Sequence, residues 1–581
     1  MRSLHYPVVI LFCCSAWLVA MPQAMACHDM SAMQPVTPPA SLPMPKRMTG
    51  IGNAHIAITT ANPEAQIWFD QGLNLTHDFW DYEAAKAFEQ SVRVDPQCAM
   101  CWWGLASAMD TRSKDSNAAV DDAYNRMKKF KKHTSPAEKL YIEAALKSRK
   151  ADKLSANNTT KTEKKPLVHR DSDETKSLRK LVALYPETDD ASIQARILLA
   201  GSLHDGYTKG EPNVGTAEAQ RILARIIEQH PNDTAALHYW IHIVEPGNHP
   251  EQARDAAVKL GALVPTSGHM VHMPGHIFYL LGEYNLAQTS FAASTVVDET
   301  YMRTENVMPD DDWNYVHNLM YSIADLMEAG RFAEANLLAE KTSAAHGTRP
   351  NTALRAADWT VAQGLLQSSD ALAIYPNLVL LRQGLLAYVQ GQLALEANDT
   401  KTAQISAAAL DQVVTKAASQ PGTSAMQMPG MNASPQDAML SPLHAYLAIA
   451  ALELKAGVEM EQGHNADADR DFTQAIGKEA TLRYLEPPMY LRPAAEAEAS
   501  SLMRAHRYTE ARTALLLVIK RRPQTGFALY GIARADDAMG APTATESYRN
   551  FLAAWSKADA SLPQMVQAKT WITSHQVAAG Q

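Results

Sequence analysis

The sequence predicts an all-α chain built as a stack of helix pairs, and three observations predict it. Apolar residues recur at helical spacing through long stretches rich in Ala and Leu, with little of the alternation that marks strands. Short turns marked by Pro or Gly divide these stretches into lengths that suit antiparallel helices. A set of aromatic, Gly and Ala positions returns with a period of 34 residues.

The chain has 581 residues, 46% of them hydrophobic, which is ample for extensive cores and too long for one ordinary domain. A formal net charge of -9 leaves no basic excess to neutralise phosphates, which excludes a general nucleic-acid binder. No Walker-type phosphate loop, serine elbow or dinucleotide fingerprint occurs, so nucleotide-driven chemistry has no support.

At the N-terminus, Met1-Arg2 precedes an apolar run from Val8 to Ala20, and Ala24-Met25-Ala26 has the small-x-small pattern of a cleavage site. Residues 1–26 read as a signal peptide, and the expected location is periplasmic or secreted. Cys27 follows the cleavage site and makes a lipoprotein the alternative. No later apolar run approaches the roughly 20 residues of a membrane span, so no stable transmembrane segment is expected after cleavage. Residues 27–57, rich in Met, Pro, Ser and Ala, read as a flexible leader.

The first helix pair is carried by Trp68, Gly72, Ala84, Phe88 and Pro96 at offsets of 4, 12, 4 and 8. Trp68 and Phe88 would fill the interface between the two helices, and Gly72 and Ala84 would let them approach. The frame recurs in Pro231, Pro265 and Glu299, each 34 residues apart, and in Gly275, Phe278, Gly282, Tyr284, Ala287 and Phe291. It returns in Gly330, Phe332 and Ala335, in Gly384 and Gly391, in Tyr508, Ala511 and Pro523, and in Gly540 and Tyr548. Over most of residues 60 to 570 the chain resembles the tetratricopeptide-repeat family. The resemblance implies a right-handed helix-pair solenoid whose concave groove takes a peptide, a protein or a small polar ligand.

On this frame the chain divides into helices at 58–151, a polar Lys-rich loop at 152–174, central repeats at 175–400, an insertion at 401–440 and C-terminal helices at 441–575. Such insertions suit surface loops, because each repeat packs mainly on its neighbours.

The chemistry-bearing feature is histidine. His238, His242 and Glu245 fall on one helical face before Pro246-Gly247 ends the helix, and the next unit carries His269, His272 and His276. With Thr234 and Gly268 as first positions, His238 and His272 share position 5, and His242 and His276 share position 9. Glu245 falls at position 12 and His269 at position 2, and His317 takes position 2 of the following unit. The family resemblance implies that positions 2, 5, 9 and 12 look onto the concave groove. Imidazoles and a carboxylate so placed can hold a divalent ion, with His238, His242, His272 and His276 as the first set. Glu245 is either a further ligand or a base on bound water, and His269 and His317 complete the shell or hold a second ion. Zinc or copper suits these donors, with iron the next choice. The pattern is not that of a zincin protease, since Tyr239 stands where its Glu would be.

Weaker candidates are His77, near an inward position of the first repeat, and Cys98-x-x-Cys101, which reads as a disulfide, a thiolate pair or packing residues. Met426, Met428 and Met431 form a Met-rich run, and Met30 and Met33 beside His28 another, both of a kind that suits soft copper ions. His204-Asp205 reads as a turn, Asp310-Asp311-Asp312 as an acidic helix start, and Glu486 and Tyr490 as groove contacts. Three functions stay open: an exported solenoid holding one or two divalent ions, with hydrolase or oxidoreductase activity; a non-catalytic peptide- or protein-binding scaffold; and periplasmic copper handling.

Overall fold

The computed structural model describes residues 39–110, 117–157, 171–309, 312–342, 348–368, 376–419, 440–482, 486–487 and 492–579. Among them the chain is helix after helix, and its one sheet is a two-stranded antiparallel pair, Tyr207–Thr208 with Glu211–Pro212. The fold is an all-α, tetratricopeptide-like array of helix pairs. None of the described helices is long and apolar enough to cross a membrane.

The glycines of the repeat frame explain the pairing. The helix Pro63–His77 packs on Asp81–Val94 and then on Ala99–Asp110. A Cβ on Gly72 would stand 2.8 Å from the Phe88 ring, and one on Gly104 only 2.2 Å from it. Phe88 is therefore gripped between successive first helices, and only residues without a side chain permit that approach. Gly275 meets Phe291 in the same way at 2.3 Å, one pair of repeats being built like the other.

Helix ends follow local chemistry. Asn62, Asp233 and Asp312 place a side-chain oxygen on a backbone N–H in the first turn of their helices. Asp312 thus fits the acidic helix start expected there, while Asp310 and Asp311 lie outside the described residues.

Three segments differ from the sequence reading. The leader, expected to be flexible, is packed from residue 39 onward, with Leu42, Ile51, Ala54 and Ile56 buried. Its backbone is clasped by amide side chains, Asn74 bonding both the N–H and the C=O of Ala54 at 2.8 and 3.0 Å. Gly50 and Gly52 have φ of 71° and 120°, which allows the close contacts with Thr266, Asn74 and Thr234. The segment from 401, expected to belong to an insertion, starts as the helix Thr400–Ala418, packed on Pro376–Glu396 through Ala403 and Leu410. Its Ala-rich composition outweighs the Pro and Gly that follow it. The polar stretch from 152 likewise begins inside the helix Pro136–Asn157, and Asp173–Val182 begins before residue 174. Residues 1–38, Met426, Met428, Met431, Tyr484 and Tyr490 lie outside the described residues, and with them the signal peptide, Cys27 and both Met runs.

The array does not run on as a simple line. After the helix Thr348–Ala356, the helices Trp359–Ser368, Pro376–Glu396, Thr400–Ala418 and Leu440–Glu461 form a core largely their own. The chain then returns, and Ala494–Arg504 and Gly526–Ala538 come back to the middle of the molecule. Tyr284 donates to the Pro523 carbonyl at 2.9 Å, Trp555 to that of Glu328 at 2.9 Å, and the Asp559 N–H to that of Gly330 at 3.0 Å. At the seam Arg355 is fully buried and bonds Glu328 at 2.8 Å and Glu496 at 2.9 Å.

Candidate metal centre

Two helices one repeat apart carry most of the histidines. Thr234–Val244 presents His238 and His242, and Gly268–Leu280 presents His269, His272 and His276. The next first helix, Trp313–Glu328, adds His317, Asn314, Asn318 and Tyr321. His238, His272 and His276 are fully buried and His269 nearly so.

The six imidazoles gather as two triads. In one, ring nitrogens of His238, His242 and His269 lie within 4.8 Å of one another; in the other, those of His272, His276 and His317 do. This divides the histidines otherwise than their 34-residue spacing suggests. The set of four expected to share one ion is split between the triads, and each triad takes one further histidine.

Hydrogen bonds at the far side of each ring fix how these imidazoles point. His238 Nδ1 lies 2.6 Å from the His77 carbonyl oxygen, which can only accept. His269 Nδ1 faces Asn314 Oδ1 at 3.2 Å, and His272 Nδ1 faces Asn318 Oδ1 at 2.8 Å. The Asn318 amide cannot be turned round, because its Nδ2 donates to the Phe291 carbonyl at 2.9 Å. The Asn314 amide is held likewise by the Asp298 carboxyl at 2.8 Å. Glu245 takes the last two, with Oε1 3.1 Å from His242 Nδ1 and Oε2 2.8 Å from His276 Nδ1. In these five rings the Nδ1 proton is thus engaged with oxygen, and Nε2 is left as a lone pair.

Those lone pairs face one another. His238 Nε2 and His269 Nε2 are 3.1 Å apart, and His272 Nε2 and His276 Nε2 are 2.6 Å apart. His242 Nε2 is buried with no hydrogen-bond partner. A shared proton would relieve the repulsion, but burial, and then the neighbouring imidazoles, push His238, His269, His272 and His276 well below the usual histidine range. Burial lowers His242 as well. Neutral rings converging through unprotonated Nε2 are the form in which histidine binds a metal.

Aromatic rings cover the cluster. Phe79 stacks on His242 and His269, with centroids 5.3 Å away in both cases, and lies 4.8 Å from His238. It does so at the end of the helix Pro63–His77 with φ of 57°, a left-handed backbone usually left to Gly. Holding a bulky residue there costs on the order of 1–3 kcal/mol, a strain that clusters at functional sites. Tyr321 stacks on His276 at 4.1 Å in the other triad.

Glu486 also reaches the cluster, 3.9 Å from His276 Nδ1, carried there by the return of the chain. His242, Glu245 and Glu486 form a third group whose ligand atoms lie within 4.8 Å. Burial, then the Glu245 carboxylate, push the Glu486 carboxyl well above its ordinary range.

Other candidates fall elsewhere. His77 contributes its carbonyl, while its ring Nε2 is taken by Gln194 at 2.7 Å and burial lowers it to about 4. It is absent from the three groups with metal-ligand spacing among the described residues. Cys98 and Cys101 are joined in a disulfide, so of the three readings the thiolate pair is overturned. His204 bonds Thr216 at 3.1 Å beside the short hairpin, in keeping with a turn. Sequence reasoning missed Phe79, Asn314, Asn318 and Tyr321. The two Asn carried a usable signal: they sit four residues apart, as His238 and His242 do.

No family model matches the chain, and no relative is found among the curated proteins. Solved structures similar to it include the APC/C hetero-tetramer Cut9–Hcn1, at 11% identity over 87% of this chain and 76% of that one, with a TM-score of 0.30. Yeast Tom70 is similar at 12% identity over 89% and 90% of the two chains, with a TM-score of 0.23. The TPR domain of P58(IPK) is similar at 11% identity over 82% and 98%, with a TM-score of 0.20. The fold stands on the chain's own helix pairs and their spacing.

Proposed function

We propose that this chain is a metalloprotein holding two divalent ions on the inner wall of its helical array, one on His238, His242 and His269 and the other on His272, His276 and His317. The observation that carries the reading is the pair of opposed Nε2 atoms, 3.1 and 2.6 Å apart, in rings whose Nδ1 protons are bonded to oxygen. Around a tetrahedral ion with bonds of ~2.0–2.1 Å, neighbouring nitrogens stand about 3.3 Å apart, close to the wider of these contacts. A cation between the lone pairs turns their repulsion into coordination. All-imidazole sets suit zinc and copper better than ions preferring carboxylate.

Three-imidazole sets are typical of catalytic rather than structural zinc, which supports an enzyme, either a hydrolase or a redox protein. In a hydrolase an ion would lower the pKa of bound water, while Glu245, on the Nδ1 side of His242 and His276, would hold those rings in their ligating orientation. The signal-like first 26 residues support a location outside the cytoplasm, where metal would enter from the surroundings.

The test is purification without added metal, then elemental analysis and anomalous diffraction. Two ions per chain on the named nitrogens, lost in the H242A/H276A double variant, is the expected result. A chain that takes up no zinc or copper, and whose melting is unmoved by either, refutes the reading. A peptide bound equally well with and without chelator would then favour the interaction scaffold.

A further inference from the structure

Glu245 is the only described residue hydrogen-bonded to a ligand of each triad among the contacts above, and this gives it a role beyond holding one imidazole. It caps the helix Thr234–Val244, its N–H bonding the Ile241 carbonyl at 3.0 Å, and it is buried. Its two oxygens face different rings: Oε1 meets His242 Nδ1 at 3.1 Å and Oε2 meets His276 Nδ1 at 2.8 Å. His242 belongs to the first triad and His276 to the second.

We infer that Glu245 couples the two ion sites, acting as a positioning residue for one ligand of each, so that filling one site prepares the other. The inference rests on the two-ion reading. A carboxylate is a rigid plane, so turning one oxygen toward a ring moves the other oxygen too. An imidazole is rigid as well, and a hydrogen bond at Nδ1 aims Nε2 at the far side. An ion bound by His238, His242 and His269 locks the His242 ring, which locks the carboxylate, which holds His276 in its ligating orientation. Linkage requires the same effect in the opposite direction.

The chemistry of the carboxylate gives a sharp test. An ionised carboxylate accepts two imidazole protons, one on each oxygen. A carboxamide has one accepting oxygen and one donating NH2. Opposite the NH2 the imidazole must turn its Nδ1 lone pair to the amide and carry its proton on Nε2, where it no longer binds a metal. Glu245→Gln therefore leaves one triad intact and disables one ligand of the other.

The experiment titrates the full-length, metal-free chain with Co(II), reading the ligand-field spectrum and calorimetric heat, with circular dichroism as the folding control. The natural chain is expected to take two ions cooperatively. E245Q is expected to keep one tight ion and to bind the second about 10–100-fold more weakly, the usual cost of losing such a partner. Glu245→Asp keeps both acceptors and is expected to retain two ions at lower affinity, which covers the case of E245Q failing to fold. Asn318→Ala serves as a one-site control, weakening only the ion on His272, His276 and His317. Two ions bound by folded E245Q with natural affinity, or both weakened equally, overturns the inference and leaves the two-ion reading standing. No ion bound by the natural chain overturns that reading itself.

Discussion

The histidine wall and the seam around Arg355 are both buried and both polar, yet they are balanced in opposite ways. At the seam opposite charges meet inside the protein, with Glu496 Oε2 buried without a hydrogen-bond partner among the described atoms there. Arg355 bonds Glu328 and Glu496, Thr525 donates to Glu328 at 2.6 Å, and Arg522 stands 3.2 Å from Glu328. Along the wall the rings are neutral, their protons point outward to oxygen, and their lone pairs point inward at one another. A network of opposite charges joins two parts of a fold, whereas converging lone pairs are the arrangement on which the proposed ion sites rest. The two clusters are alike in burial and differ in how their polar atoms are partnered.

The largest expected effect breaks the seam. Arg355→Met leaves Glu496 buried without its arginine and Glu328 with Arg522 and Thr525 alone, and should cost about 3–5 kcal/mol in urea unfolding. His276→Ala, on the wall, should cost the metal-free chain less than R355M, since removing a repelling lone pair offsets part of the lost packing on Tyr321 and the lost hydrogen bond to Glu245.

Metal should reverse that order for the wall alone. Saturating zinc or copper should stabilise the natural chain by about 3–4 kcal/mol per bound ion at 100 to 1,000 times the dissociation constant, and should stabilise H276A less. A melting curve with and without chelator checks this.

Acid sharpens the contrast at the seam. Burial raises Glu328, but Arg355 and Arg522 more than offset it and hold the carboxyl at about 2, below its ordinary 4.5. A folded-state value below the unfolded one gives stability that is present above pH 4.5 and lost as pH falls toward 2. Urea midpoints from pH 6 to pH 2.5 should fall in the natural chain, and fall less in R355M, whose Glu328 keeps only the Arg522 part of that support.

The smallest expected effect comes from Gly275→Ala. Its Cβ would meet the Phe291 ring at 2.3 Å, and Phe291 lies 5.0 Å from His272. Overpacking of this kind costs about 1–3 kcal/mol. It should also weaken the ion on His272, His276 and His317 while sparing the one on His238, His242 and His269, read as separate steps in a metal titration.

Much of this was legible in the residues themselves. The period of 34, the glycines that let Phe88 and Phe291 in, and the acidic helix start at Asp312 are all local or nearest-neighbour features. The pairing of His238 with His272 and of His242 with His276 put the histidines of two helices on one wall. The packed leader was not legible, because its backbone is held by Asn74 and Gln71 side chains rather than by a pattern of its own.

Which imidazoles share a site was decided only in three dimensions. Sequence spacing says that rings stand side by side; it does not say which way each is turned. That depends on the His77 carbonyl 161 residues before His238, on Asn314 and Asn318 one repeat later, and on Glu245 between the triads. Glu486 reaches the site because the chain leaves after Ala356 and comes back, a closure no local period encodes. The sequence by itself determined the helices, their repeat and the supply of histidines, since these follow from short-range spacing. Only the tertiary structure decided the two triads and the carboxylates beside them, since hydrogen-bond direction and chain return are set by contacts between distant residues.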